Sequence, residues 1–285
     1  MTPQRRDWRF RAAVAFGLLC AGTGPALSQQ RQLLFLETFN APTATESGSA
    51  SAALWFSAKH LKLISGAGPD GSTALQVSYV PSAAGSERIA INLPLRRSVS
   101  RARLSFEVRF ADGFPFGRGG KLLGLGPLSP VTGGDPRRPD GWSARMMWRE
   151  GGRLSTYLYD QQSTRRFGIG DVSARPVLAP GEWHVVTMDL HLNNLGQADG
   201  AAEIEVDGRR VASSEGVLFA GRESGAVVPI DQLLFHTFFG GSDPSYQPRD
   251  SEGQPITVMA LFDNLRVTSD ERFGQPASSR ARNPR

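Results

Sequence analysis

The sequence predicts an all-β protein, an antiparallel β-sandwich. Short runs of alternating apolar and polar residues recur along the chain, bounded by Gly, Pro, Asn and Asp, as in half-buried strands. No segment sustains the period of an amphipathic helix, and no internal repeat is present. The central part of the chain, about 240 residues long, suits one large sandwich. We therefore predict a concanavalin-like jelly roll in which two sheets pack face to face.

The first 28 residues are predicted to be an export signal. Arginines precede the apolar run 12–21, and the small residues at 26–28 offer a cleavage site. The run is too short to span a bilayer. The single cysteine, Cys20, lies inside this signal, so the mature chain would have neither disulfides nor thiol chemistry. We expect a secreted or periplasmic protein with no membrane span.

The net charge of +5 lies at the two ends of the chain. Four arginines against Asp7 in the export signal, and four against two acidic residues in the tail 269–285, account for all of it. The domain at 29–268 is close to neutral, so we expect no nucleic-acid partner. We expect this domain to act as a monomer and the tail to be disordered.

The strand candidates are short and numerous. Before the central hairpin they are 33–39, 74–80, 88–95 and 101–110, and after it 183–192, 202–206, 232–239 and 256–267. Each is bounded by turn-forming residues, which favours antiparallel neighbours joined by short connections.

The central hairpin consists of residues 143–149 and 153–159, which alternate strictly between apolar and polar positions. A two-residue loop at Gly151-Gly152 would place the two polar sets on opposite faces. A three-residue loop, Glu150-Gly151-Gly152, places them on one face and gives a left-handed position to a glycine. A slip of one residue would turn an apolar row to solvent, so the pattern favours the three-residue loop.

The favoured register creates a polar cluster. It pairs Arg145 with Tyr157 and Ser143 with Tyr159, and it directs Leu158 to the other face. Tyrosine beside arginine on an open sheet face is also explained by aromatic stems that shield a solvated charge. The pattern alone leaves both interpretations open.

The cluster and the loop before it resemble a known enzyme family. Lys121 lies in GGKLLGL, Ser143 and Arg145 lie in an S-x-R-x-x-W-R segment, and Tyr157 and Tyr159 form Y-x-Y. In these segments the chain is similar to the family-14 polysaccharide lyases, the glucuronan and alginate lyase-like jelly rolls. The resemblance continues through FHTFFGGSDPSY at 235–246 and FDN at 262–264, and covers roughly residues 34–267. It departs at Leu123, where the family usually has proline, and at Tyr246, where tryptophan is expected.

The resemblance implies that these five residues catalyse β-elimination on an acidic polysaccharide, a polyuronate of the glucuronan or alginate type, without a cofactor. Arg145 and Lys121 would neutralise the substrate carboxylate, and Ser143 would donate a hydrogen bond to it. One or both of Tyr157 and Tyr159 would remove the C5 proton and protonate the departing O4. Neighbouring cations are expected to lower the tyrosine pKa for base work.

Further residues in the resembling segments are candidates for substrate binding: Arg149, His236 and Tyr246. Trp148 is included with them, although the register of the hairpin directs its side chain to the apolar face. Core or rim packing is the alternative interpretation for His236.

A second polar strand face is formed by Arg103, Glu107 and Arg109 in the strand 101–110. This strand leads directly to the loop that carries Lys121. We expect the three side chains to line a groove for the acidic polymer, and a solvated outer face is the alternative interpretation.

Two other function classes compete with the lyase. One is a catalytically silent carbohydrate-binding sandwich that has kept the groove. The other is a laminarinase-type glycoside hydrolase in which Glu203 and Glu205 supply the paired carboxylates. The following Asp207-Gly208 is a strong hairpin signal, however, and would leave both glutamates on a solvent face.

Metal binding receives little support from the sequence. The four histidines lack metal-ligand spacing, so no catalytic metal is predicted. Glu37 and Asp263, near the two ends of the domain, could meet at a structural calcium site, but such sites need more oxygen ligands than these two residues supply.

Overall fold

The computed structural model describes residues 31–40, 55 and 58–270. The strands described are β1 (Gln32–Glu37), β2 (Leu61–Ile64), β3 (Ala74–Tyr79), β4 (Pro81–Ser82), β5 (Gly85–Ser86), β6 (Ile89–Val99), β7 (Arg101–Phe110), β8 (Gly120–Gly126), β9 (Ser143–Arg149), β10 (Arg153–Tyr159), β11 (Trp183–His191), β12 (Gly200–Val206), β13 (Arg209–Val217), β14 (Ile230–Phe239) and β15 (Val258–Ser269). Short 3₁₀ turns occur at Glu150–Gly152, Arg222–Ser224 and Pro244–Tyr246.

These strands form two large antiparallel sheets. The first has the order β13-β12-β11-β7-β15-β3-β2, with β1 also paired to β15. The second has the order β10-β9-β8-β14-β6, and β4 and β5 form a small ribbon. Apolar faces of both sheets contribute to one continuous core. The predicted antiparallel sandwich is confirmed.

The core explains the position of Trp148. Its ring is fully buried and makes edge contacts with Phe239, Tyr79 and Phe110 at centroid distances of 5.2, 5.6 and 5.7 Å. Such aromatic packing stabilises the interface between the sheets. The inclusion of Trp148 among the substrate-binding candidates is therefore wrong, because its side chain lies on the core side of β9.

The polar face of β7 also lies away from the expected groove. The alternate residues of this strand are buried in the core, so Arg103, Glu107 and Arg109 lie on the outer face of the eight-stranded sheet. Arg103 Nε donates to Asp189 at 2.8 Å, and Asn264 Nδ2 donates to Glu107 at 2.9 Å. The expectation that these three residues line the substrate groove is wrong, because β7 belongs to the opposite sheet.

The two glutamates of the hydrolase alternative lie on that same outer face. The residues that alternate with them along β12 are buried on the core side of the strand: Ala202, Ile204 and Val206. Glu203 pairs with Arg210, and Glu205 Oε2 lies 3.5 Å from Arg103 Nη2. The turn after them has the left-handed conformation predicted for Asp207-Gly208. The structure gives both carboxylates ion-pair partners, and the pocket of about 200 Å³ on this face is lined by Glu203 but not by Glu205.

The predicted termini fall largely outside the described residues. This applies to the export signal with Cys20 and to the tail from residue 271. Strand β15 ends at Ser269, one residue beyond the predicted end of the domain. Among the described residues, no helix is long and apolar enough to cross a membrane.

The calcium expectation receives no support from the described residues. The Glu37 carboxylate accepts hydrogen bonds from Phe39 N at 2.9 Å and Trp55 Nε1 at 3.1 Å. Asp263 accepts from Ser72 Oγ at 2.7 Å. No group of three or more acidic, histidine or cysteine side chains in the described ranges could hold a metal ion. A structural calcium there stays a prediction.

Candidate active site

The central hairpin has the predicted register. Strands β9 and β10 pair Arg145 with Tyr157 and Ser143 with Tyr159. The loop between them is the three-residue Glu150–Gly152, in which Gly151 and Gly152 have φ angles of 69° and 77°. A side chain at Gly152 would also collide with a backbone oxygen, since an added Cβ would lie 2.2 Å from Leu178 O. The three-residue loop keeps the polar side chains of both strands on one face. This polar face is the outer face of the five-stranded sheet.

Strand β8 brings the lysine to this face. Lys121 pairs with Met147, and Gly124 pairs with Arg145, with an irregularity in register between Leu122 and Gly124. The extra residue, Leu123, is buried in the core. An added Cβ on Gly124 would lie 2.7 Å from Arg145 Cγ, so the absence of a side chain there leaves room for the arginine stem.

A pocket of about 240 Å³ opens on this face of the sheet. Four basic side chains contribute to it: Arg88, Lys121, Arg145 and Arg149. Among the described residues that line it there is no carboxylate. The other lining residues are Gly133, Met147, Tyr157, Tyr159, Phe167, Gly168, Phe238, Gly240, Gly241, Ser242 and Tyr246. A concave site lined by charges of one sign attracts a ligand of the opposite sign, here an anion.

Lys121 is buried and has no acidic partner among the described residues. Its Nζ lies 3.1 Å from Met147 Sδ and 3.8 Å from the centroid of the Tyr157 ring. Burial, followed by the charges of Arg145, Arg149 and Arg88, holds the Lys121 pKa well below its usual value. A thioether is a weak acceptor and does little to stabilise the ammonium form. Compared with a solvated lysine, more of this amine is therefore unprotonated and available to act as a base.

Arg145 is a buried cation with free hydrogen-bonding capacity. Its side chain is almost inaccessible, and neither Nε nor Nη2 has a hydrogen-bond partner in the part of the chain that the structure describes. The guanidinium carbon lies 5.5 Å from the Tyr157 ring centroid and 5.6 Å from that of Tyr159. Burial lowers the Arg145 pKa, but arginine remains charged at neutral pH. Unpaired buried donors destabilise the free protein, so an acceptor brought by a ligand would bind strongly.

Tyr157 differs from the sequence-based expectation. Burial and the neighbouring Tyr159 raise the Tyr157 pKa to about 12, and the opposing effect of Arg145 is smaller. The expectation that nearby cations lower the tyrosine pKa is therefore wrong for Tyr157, because the loss of water outweighs the positive charge. In the free protein this phenol is protonated at neutral pH and is suited to donate a proton.

Tyr159 is enclosed by the loop that precedes β9. It is fully buried, its hydroxyl accepts a hydrogen bond from Gly134 N at 2.9 Å, and the Arg137 guanidinium lies 4.3 Å from its ring centroid. The two tyrosine rings meet edge to face at 5.9 Å. The polar face of the hairpin is thus a covered pocket wall, not the open sheet face expected from the sequence.

Ser143 helps to hold the same loop. Its Oγ donates to Val131 O at 2.7 Å, and the residue is fully buried and does not line the pocket. The expectation that Ser143 donates to the substrate carboxylate is not supported, because its proton is already engaged. Its position suggests that it orients the loop over Tyr159.

The remaining candidates separate into two groups. Arg149 and Tyr246 line the pocket, where Arg118 stacks on Tyr246 at 4.6 Å. His236 does not line it, and its Nε2 lies 2.8 Å from Asn92 Oδ1. Burial and the charge of Arg145 lower the His236 pKa to about 3, so the ring is neutral at physiological pH.

Sequence reasoning missed several residues that line the pocket, including Arg88, Met147, Phe167 and Phe238. Met147 was detectable, since alternation places it between Arg145 and Arg149 on the polar face of β9. The other three come from β14 and the connecting segments, and no local pattern indicates which sheet face they approach.

Comparison with known proteins places these observations in a family. The structure is similar to that of the alginate lyase Aly36B, with a TM-score of 0.62 and 23% identity over 83% of this chain and 96% of that one. The structure is also similar to that of the marine PL-14 alginate lyase from Aplysia kurodai, with a TM-score of 0.61 and 20% identity over 84% of this chain and 99% of that one. A third similar structure is that of the endo-β-1,4-glucuronan lyase from the fungus Trichoderma reesei, with a TM-score of 0.57 and 14% identity over 84% of this chain and 96% of that one. At these identities the likeness shows a shared fold.

No curated protein sequence matches the chain. A family model does, and its description is polysaccharide lyase 14. The match spans residues 72–255, which include the whole hairpin, Lys121 and the segment through Tyr246. Because this is more than half of the chain, the protein belongs to polysaccharide lyase family 14.

Proposed function

We propose that this lyase is an exported enzyme that cleaves a polyuronate of the glucuronan or alginate type by β-elimination. The observation that carries the proposal is the pocket with three arginines, one lysine and no carboxylate among its described lining residues. Each sugar of such a polymer bears a carboxylate, which complements that charge. The fold is shared with enzymes named as alginate and glucuronan lyases, which supports the same substrate class.

Arg145 is assigned to the substrate carboxylate. The hydrogen at C5 becomes acidic only when the adjacent carboxylate is neutralised, because its removal creates an enediolate. The planar guanidinium can bind both oxygens of the carboxylate at once. Its unpaired donors are buried, where an ionic hydrogen bond is stronger than in water.

Lys121 and Tyr157 are assigned to the proton transfers. The neutral amine of Lys121 takes the C5 proton, and the electrons of that C–H bond form the C4–C5 double bond. The C4–O4 bond breaks, and O4 takes the proton of the Tyr157 hydroxyl. The pKa directions fit this division, since the lowered lysine pKa leaves more of the amine unprotonated and the raised tyrosine pKa keeps the phenol protonated. Tyr159 is then a positioning residue.

The proximity of the two groups predicts a preference among uronates. Lys121 Nζ lies 3.8 Å from the centre of the Tyr157 ring, so base and acid approach the sugar from one side. This favours syn elimination. In mannuronate and glucuronate the C5 hydrogen and O4 lie on one side of the ring, whereas in guluronate they lie on opposite sides. We expect faster cleavage of polymannuronate or glucuronan than of polyguluronate.

The test is a panel of these three polymers, followed by ultraviolet absorbance of the unsaturated product and by an assay of reducing ends. Growth of the absorbance supports the lyase, and reducing ends without it would indicate hydrolysis. Binding without turnover would indicate a carbohydrate-binding module. Glu203→Gln and Glu205→Gln serve as controls on the opposite sheet and should retain full activity. A clear preference for polyguluronate would contradict the one-sided geometry.

The two tyrosines are expected to respond differently to loss of the hydroxyl. Tyr157→Phe should lower kcat by about 10²-fold or more, with little change in KM, because it removes the proposed acid. Tyr159→Phe leaves the Gly134 N–H without its acceptor, so it should reduce the free energy of unfolding by about 1 kcal/mol and lower kcat less. Steady-state kinetics and urea unfolding measure both. Full activity of Tyr157→Phe would exclude it as the acid.

A further inference from the structure

An exposed aromatic ring, that of Phe167, lines the pocket together with Tyr157 and Tyr159. Phe167 has 44% of its surface accessible and lines the pocket together with Gly168. The Arg166 guanidinium lies 5.3 Å from the centroid of its ring. Neither residue takes part in the proposed chemistry. A single exposed phenylalanine is unremarkable elsewhere on a surface, but here it borders a site for a polymer.

The surrounding backbone fixes the position of this ring. Ile169, two residues further on, exchanges hydrogen bonds with Leu158 of β10 at 2.7 and 3.0 Å. An added Cβ on Gly134 would lie 2.9 Å from Phe167 Cε1, so the two loops are in close contact. Arg137 Nη2 donates to Arg165 O at 3.3 Å and links the same loops. The ring is therefore held in place while its exposed face stays accessible.

The ring is also next to the proposed acid. An added Cβ on Gly168 would lie 2.9 Å from Tyr157 Cε1, which shows that Gly168 packs against that tyrosine ring. Phe167, the chain neighbour of Gly168, lines the same pocket as Tyr157. A polymer whose scissile linkage lies at Tyr157 would extend one of its flanking sugars over Phe167.

We infer that Phe167 and Arg166 form a distal subsite for one uronate residue of the polymer, an inference that rests on the proposed function. A pyranose ring has an apolar C–H face, which packs on the negatively polarised face of an aromatic ring. Its carboxylate would meet the adjacent guanidinium. The Arg137 guanidinium adds positive charge nearby, and its Nε and Nη1 are buried without partners. Tyr246 with Arg118 repeats the aromatic–arginine pairing elsewhere on the pocket wall.

The subsite is tested by binding, independently of turnover. The Lys121→Met variant, in which turnover is expected to be slow, is titrated calorimetrically with mannuronate and glucuronate oligomers from disaccharide to hexasaccharide. Adding Phe167→Ala should weaken binding of the longer oligomers by about tenfold and leave the shortest that bind unchanged. Phe167→Trp should retain the affinity. Arg166→Gln should reduce the preference for these oligomers over neutral cello-oligosaccharides of equal length.

A matched control is Met259→Ala, which removes a side chain of similar exposure from the outer face of the other sheet. Equal weakening at all lengths, or no weakening at any length, would overturn the subsite while elimination by the wild type stands. If the wild type forms no unsaturated product but binding depends on Phe167 and on length, the proposed reaction falls and the subsite remains. If no oligomer binds, the proposed function and the subsite are both contradicted.

Discussion

Lys121→Met is expected to lower kcat by about 10³-fold while the protein stays folded. The amine is the proposed base, and positioned acid–base catalysis contributes about 10²- to 10⁴-fold. Methionine is an unbranched side chain of similar length without the charge, and it suits a site already bordered by Met147 and the Tyr157 ring. Because the change replaces a buried amine that has no acidic partner among the described residues with an apolar side chain, the melting temperature should be unchanged or higher.

The pH dependence separates a base from a structural lysine. The acid limb of kcat/KM reports the pKa of the base in the free enzyme. Burial and then the arginines lower the Lys121 pKa, so the limb should lie below the usual lysine value of about 10.5. Arg88→Gln removes one of those charges, which should raise the pKa and move the limb to higher pH. Wild-type turnover in Lys121→Met would exclude the lysine as base.

Arg145→Lys is expected to lower kcat by about 10²- to 10³-fold, with a smaller change in KM. The lysine keeps the charge but loses the planar fork that binds both carboxylate oxygens. The substitution mainly weakens binding of the transition state, because negative charge accumulates on the substrate carboxylate there. Removal of one hydrogen-bond donor to such a developing charge typically lowers kcat by this amount.

Arg103→Lys is the matched control for this change. Arg103 also makes a forked contact, with Asp189, but it lies on the outer face of the opposite sheet. Its replacement should change stability by no more than about 1 kcal/mol and leave kcat unaffected. Equal loss of activity in the two variants would show that the effect of Arg145→Lys is not specific to the pocket. Kinetics and a thermal melt on each variant decide this.

The sequence by itself determined the strand content and the register of the central hairpin. Strict alternation in β9 and β10 fixes which side chains share a face, and the three-residue Glu150–Gly152 loop fixes their pairing. These are local properties, so Arg145 opposite Tyr157 could be predicted without any knowledge of the sheet. The Asp207-Gly208 turn followed for the same reason.

Only the tertiary structure decided which polar faces meet. The faces of β7 and β9 have the same alternation, but their strands belong to different sheets, so Arg103 and Arg145 lie on opposite sides of the sandwich. Strand pairing across long sequence separations determines this, and alternation carries no information about it.

The chemistry of the site was also decided at this level. Whether burial or nearby cations dominate the pKa of a phenol depends on how deeply the ring is buried. The residues that cover the two phenols, Gly134 at Tyr159 and Gly168 at Tyr157, lie in segments outside the hairpin. The sequence therefore identified the residue types of the site, and packing determined their pKa values, their accessibility and their distinct roles.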